Sequence, residues 1–128
     1  MGLDIHLEAD ERLSIAAISK ALSELGALDI SSDQSTVEGH FDSGLSVSAE
    51  CALDDDTLYT EDAKGLSFPV AIRCYFRVKG PEPEGLSALR DLERFVRCIA
   101  TETDAYFIVS FQYETALYWR HKNGLHAA

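Results

Sequence analysis

The chain has 128 residues, 46 % hydrophobic and 26 % charged, with 22 acids against 11 bases and a formal net charge of −11. That length and composition suit one globular domain, residues 1–128, large enough to bury a core without staples. No apolar run approaches the ~20 residues of a membrane-spanning helix, and so large an excess of acid argues against nonspecific binding to nucleic acid or to an anionic membrane.

The charge is unevenly placed. Residues 1–65 hold 15 acids and 3 bases, whereas residues 66–128 hold 7 acids and 8 bases. This asymmetry favours a basic protein partner. The opening MGLDIHLEADE lacks a basic n-region, and His6 stands where a myristoylation motif has Ser or Thr, so a cytoplasmic location is expected. Cys51, Cys74 and Cys98 form no CxxC pair and read as small buried hydrophobes.

In chain order, Leu3, Ile5 and Leu7 alternate with Asp4, His6 and Glu8, the period of a half-buried strand. Asp10 is the expected N-cap of a helix carrying Ile15, Ile18, Leu22 and Leu25 on one stripe, stopped by Gly26. Residues 27–35 read as a loop. Val37, Gly39 and Phe41, then Leu45, Val47, Ala49 and Cys51, alternate on either side of Asp42-Ser43-Gly44, which predicts a hairpin. Residues 54–65, DDDTLYTEDAKG, are acidic and turn-rich, and predict a long exposed loop.

Phe68 to Val78 shows the cleanest alternation, with Arg73, Tyr75, Arg77 and Lys79 on the outward side, until GPEPEG (80–85) breaks the strand. A second helix carries Leu89, Leu92, Phe95, Val96 and Ile99 on its apolar stripe, with Arg90, Arg94 and Arg97 on the wet side. The last part, FIVSFQYETALYWRH, predicts a strand with Phe107, Val109, Phe111 and Tyr113 inward, then a turn near Glu114-Thr115. A two-residue turn would turn Tyr118 and Arg120 to the core. An odd turn would instead bury Leu117 and Trp119, which avoids burying Arg120, so the odd turn is expected and Trp119 with it in the core.

The predicted order is strand, helix, three strands, helix, two strands. Each helix has a single apolar stripe, so the expected fold is α+β: a two-layer sandwich with two helices on one face of an antiparallel sheet, in ferredoxin-like order with an extra hairpin. Its core should centre on Ile15, Ile18, Leu22, Ile72, Phe76, Leu92, Phe95, Ile99, Val109 and Phe111.

No catalytic signature is visible. DSGLS (42–46) is not a nucleophile motif, no phosphate loop or GxGxxG is present, and Asp54–Asp56 lack the alternation of a calcium loop. His6-x-Glu8 and His40-x-Asp42 offer two ligands each without a third, so they read as exposed polar pairs and no metal or cofactor is expected. The open sheet face, expected to present Arg73, Tyr75, Arg77, Lys79, Tyr118 and Arg120, has the layout of RNA-recognition folds but lacks their aromatic run. A homodimer or peptide-binding surface suits it better.

The C-terminal third, DAYFIVSFQYETALYWRHKNGL, resembles small bacterial immunity proteins that neutralise polymorphic or contact-dependent toxins, acidic α/β proteins ending in a strand pair with a Glu near the turn and a Gly after the last strand. The resemblance implies a non-enzymatic protein that binds a cognate toxin domain, often a basic nuclease, and blocks it. The acidic loop is the expected contact surface: Glu50, Asp54, Asp55, Asp56, Tyr59, Glu61 and Asp62, with Tyr59 as anchor. The alternative face is Arg73, Tyr75, Arg77 and Tyr118. The element order is also similar to type III secretion chaperones, which bind effectors, although HKNGLHAA has no room for their final helix. A small-ligand regulatory domain is the third reading, marked by a closed apolar pocket.

Overall fold

The computed structural model describes residues 3–78 and 83–128. In chain order the elements are β1 (Leu3–Ala9), α1 (Ile15–Glu24), β2 (Leu28–Ser32), β3 (Thr36–His40), β4 (Leu45–Glu50), β5 (Ile72–Val78), α2 (Ala88–Glu102), β6 (Phe107–Phe111), β7 (Thr115–His121) and β8 (Gly124–Ala127). They build one antiparallel sheet of order β2-β3-β4-β5-β1-β6-β7-β8, with both helices on one face. Lys79 and the first part of the 80–85 breaker lie outside the described residues. Among the described residues, no helix is long and apolar enough to cross a membrane.

Alternation produces the core. Ile5, Leu7, Val47, Ile72, Phe76, Phe107 and Val109 point from the sheet toward Ile18 and Leu22 of α1 and Leu92, Phe95 and Ile99 of α2. Phe95 meets Phe76 edge-on with ring centroids 5.5 Å apart. Of the core expected from sequence, Phe111 alone is half-buried, at the end of its strand. Leu89 is exposed, off the buried stripe of α2.

Helix α1 starts later than its spacing suggests. Asp10 is not its cap, because the carboxylate accepts hydrogen bonds from the Arg12 backbone N–H (3.0 Å) and from Arg12 Nε (3.0 Å) and Nη2 (2.6 Å). Ser14 caps the helix instead, accepting from the Ala17 N–H at 3.1 Å. Gly26, at φ +85°, ends it as expected.

Two strands fall where no alternation announced them. Residues 27–35 are not all loop: β2 pairs with β3 at one edge, although only Ile30 in it is shielded from solvent. There Gly39 sits in close quarters, since a Cβ would lie 3.3 Å from Ile30 Cγ1 and Ile30 would have to give by a few tenths of an ångström. At the other edge β8 pairs with β7.

The β6–β7 connection is an odd turn of residues 112–114, with Gln112 and Tyr113 both at positive φ. A bulge at Leu117 then shifts the register, so Val109 faces Tyr118 and Ile108 faces Trp119. Two odd insertions cancel. Leu117 and Tyr118 therefore pack on the helix side, and Arg120 reaches the Ala105 carbonyl at 3.1 Å, while Trp119 turns to the outer face. The expectations that Tyr118 and Arg120 lie on the open face, and Trp119 in the helix-side core, are both corrected by the bulge.

The outer face is not fully open. Residues 51–71 cross it, and Leu66 packs with Ile108 and Ala116 in a second apolar cluster, flanked by Leu58, Phe68 and Trp119. Phe68 thus belongs to this cover and not to β5, which begins at Ile72.

Candidate partner-binding face

Strand register arranges the outer side chains in rows across the sheet. One row runs Glu38, Ser48, Tyr75, His6, Ser110, Ala116. The next runs Thr36, Glu50, Arg73, Glu8, Ile108, Trp119. A third holds His40, Ser46, Arg77 and Asp4. The crossing loop covers Glu8, Ser110, Ile108 and Ala116 and reaches Arg73 on β5, and it leaves the rest of the β3–β4–β5 part exposed.

The loop is held by a buried carboxylate. Glu8 is fully buried, and its Oε2 lies 2.5 Å from Arg73 Nη1. The same carboxylate accepts from the Tyr59 N–H (2.7 Å), the Thr60 N–H (3.0 Å) and the Thr60 hydroxyl (2.6 Å). Thr60 Oγ1 also lies 3.1 Å from Ser110 Oγ. Arg73 Nη2 donates to the carbonyls of Asp55 (3.0 Å) and Thr57 (2.7 Å), and its guanidinium lies 4.0 Å from the Tyr59 ring centroid. A buried ion pair is tolerated when its remaining polar positions are satisfied, and the loop backbone satisfies these. Further along, the N–H groups of Glu61 and Asp62 donate to the carbonyls of Tyr113 (2.8 Å) and Glu114 (3.2 Å) in the strained turn.

That turn lays Tyr113 over the sheet. Its ring stacks on His6 at 4.0 Å, and His6 stacks on Tyr75 at 5.1 Å. The Tyr75 hydroxyl donates to Asp4 Oδ1 at 2.6 Å, which fixes its ring. Burial lowers the His6 pKa below its ordinary value, against the pull of Asp4 and Glu8. Burial raises that of Tyr113. Beside this stack lies a shallow trough of about 580 Å³, lined among others by Glu38, Ser48, Glu50 and Tyr75.

The residues expected to meet a partner divide into two groups. Asp54, Asp56, Glu61 and Glu50 are exposed. Asp55 and Tyr59 are exposed but bound to one another, the hydroxyl 2.5 Å from Asp55 Oδ2, and Asp55 Oδ1 accepts from the Thr57 N–H at 2.9 Å. Contacts with Thr57, then with Tyr59, lower the Asp55 pKa to about 2. Asp62 is half-buried, paired with Lys64 at 3.2 Å. On the alternative face Arg73 is committed to Glu8, Tyr118 points to the helices, and Tyr75 and Arg77 remain on the outer side. Glu8, read as half of an exposed polar pair, is instead the buried anchor of the loop. Thr60, Ser110, Glu38 and Ser48 were not singled out; outward parity was visible for the strand residues, the loop crossing was not, and Tyr113, expected inward with Phe111, instead lies over the outer face because the strand ends at Phe111.

Elsewhere, Glu24, Cys98 and Glu102 bring ligand atoms within 4.8 Å of one another. Lys20 already pairs with both carboxylates, at 3.7 and 3.2 Å, so the cluster is a surface ion-pair group. No protein-family model matches the chain, and no curated protein or solved structure is significantly similar to it.

Proposed function

We propose that the chain is a non-enzymatic binding protein for a basic protein partner, namely a toxin domain that it blocks in the manner of the immunity proteins it resembles. One observation carries this reading: Glu8 and Arg73 pin the acidic loop to the sheet, so Asp54, Asp56 and Glu61 project from an ordered segment. Preordered charges lose little entropy when a partner docks, and they steer a basic surface to the encounter. The Thr60 hydroxyl that donates to the Glu8 carboxylate, and the Ser110 hydroxyl beside it, are buried under the loop, away from any substrate, which supports binding over catalysis.

The test is the association rate with the protein encoded by the adjacent gene, measured at low and high salt. Asp54→Lys, Asp56→Lys and Glu61→Lys together, with Asp55 left to hold Tyr59, should slow association roughly tenfold or more at low salt and flatten its salt dependence. An unchanged rate would reject this surface.

A further inference from the structure

The exposed part of the outer face has a groove along β4. Its floor is Ser46 and Ser48, the smallest outward side chains on the three neighbouring strands. Glu38 and His40 of β3 form one wall, Tyr75 and Arg77 of β5 the other. Register places Ser48 directly between Glu38 and Tyr75. His6 stacks on one face of the Tyr75 ring, and across the ring's other side Ser48 leaves the space unfilled.

We infer that this groove receives an arginine side chain of the partner, its guanidinium flat against Tyr75 and paired with Glu38. The inference rests on the functional reading above and names the chemistry of one anchor. Three observations support it. The Tyr75 ring is held upright by its bond to Asp4 and by the His6 stack, so it needs no reordering to accept a planar cation. Asp29, Glu38 and Glu50 outnumber Arg77 among the exposed charges around the groove, because Arg73 is neutralised by Glu8. The fold uses the same contact twice within itself, with Arg73 4.0 Å over Tyr59 and Arg12 4.2 Å over Tyr106. Arginine fits better than lysine because a flat guanidinium can stack and hydrogen-bond at once.

The experiment titrates the full chain with the peptide acetyl-Gly-Gly-Arg-Gly-Gly-amide and follows NMR signals of Glu38, Ser46, Ser48 and Tyr75. Saturable shifts confined to these residues are expected, with none from the citrulline peptide, which keeps the shape and loses the charge. Ser48→Phe should abolish the response by filling the groove from an outward position. Glu38→Gln, an exposed substitution that leaves the core untouched, should weaken it about twofold to fivefold. No response in the wild-type protein, an equal response to citrulline, or a response that survives Ser48→Phe overturns the inference. Failure of the functional reading looks different, since it appears as partner association indifferent to the loop charges. Association that falls on loop reversal but survives Ser48→Phe keeps that reading and removes the arginine groove.

Discussion

Arg73 and Glu8 are cross-strand neighbours on β5 and β1, and their 2.5 Å contact is roofed by a backbone that begins at residue 51 and ends at residue 71. Removing one partner strands the other. Glu8→Ala should destabilise the protein by about 3–5 kcal/mol, because a guanidinium is left under the loop without its counter-charge. Replacing both, as Glu8→Leu with Arg73→Met, should recover much of that loss while still freeing the loop. Urea titration measures the first effect, and faster amide exchange at Tyr59 and Thr60 in both variants measures the second. Protected amides in the double variant would mean that the apolar cluster alone holds the loop.

Trp119 packs at the margin of the small cluster of Leu66, Ile108 and Ala116, half-buried. Trp119→Ala should therefore cost about 1–3 kcal/mol, below the ~3–5 kcal/mol of a fully enclosed aromatic such as Phe107 or Phe95. Lys64 lies 5.1 Å over the Trp119 ring and His126 stacks on it at 5.9 Å, so tryptophan fluorescence should shift to longer wavelength when the loop detaches in Glu8→Ala. Comparing the melts of Trp119→Ala and Phe107→Ala decides the point. Equal losses would place Trp119 in the main core.

His6 makes the stack sensitive to acid. Burial disfavours its charged form, and Arg73 adds to this, while Asp4 and Glu8 oppose it. The folded-state value lies below the ordinary 6.5, so the unfolded chain takes up the proton first. Stability from this residue is complete above pH 6.5 and is lost as pH falls below it toward the folded value. His6→Phe should flatten the pH dependence of stability in that window. An unchanged slope would assign the dependence to other groups.

Asp55 behaves in the opposite direction of charge. Thr57 and Tyr59 stabilise its carboxylate, so its pKa of about 2 lies below the ordinary 3.8, and its contribution is present above 3.8 and lost as pH falls toward 2. Carboxyl-carbon NMR should show this midpoint, and Tyr59→Phe should move it upward. A midpoint indifferent to Tyr59→Phe would show that the hydroxyl contact does not persist in solution.

Cys74 is buried on the core side of β5, and burial raises its thiol pKa strongly. Cys51 and Cys98 are only partly covered. A thiol reagent applied to the native protein should label Cys51 and Cys98 within the time that leaves Cys74 untouched, with mass spectrometry of peptides as the readout. Labelling of Cys74 at the same rate would show that the sheet opens there.

The two helices and strands β1, β4 and β5 were legible because their periods are nearly unbroken, from Ile5 and Leu7 to Ile72, Cys74 and Phe76. β2 was not, since Leu28 and Asp29 are exposed and Ile30 stands alone. The Leu117 bulge was invisible for a different reason: it restores a parity that the turn had just reversed, and parity is all that alternation reports. The site was legible only in part. Alternation put Glu8 on the outer side, but its burial depends on Thr60 arriving from a distant segment. One signal was available. β6 reads Phe-Ile-Val-Ser, apolar on both sides, and a strand buried on both faces must be covered twice.

The position of β1 has a kinetic consequence. Ile5 pairs with Phe76 on one side and with Phe111 on the other, so the central strand finds neither neighbour until most of the chain is available. α1 and the β2–β3–β4 meander can assemble early from near neighbours in sequence. Closing the sheet around β1 must then meet the loop-closure entropy of two distant pairings, which places folding toward the millisecond-to-second range of sheet proteins with non-local contacts. During synthesis, a chain that has not yet released β6 carries β1 with one unpaired edge. In that interval the nascent protein exposes a template for strand exchange, which dilution or chaperone capture would suppress until the sheet is complete.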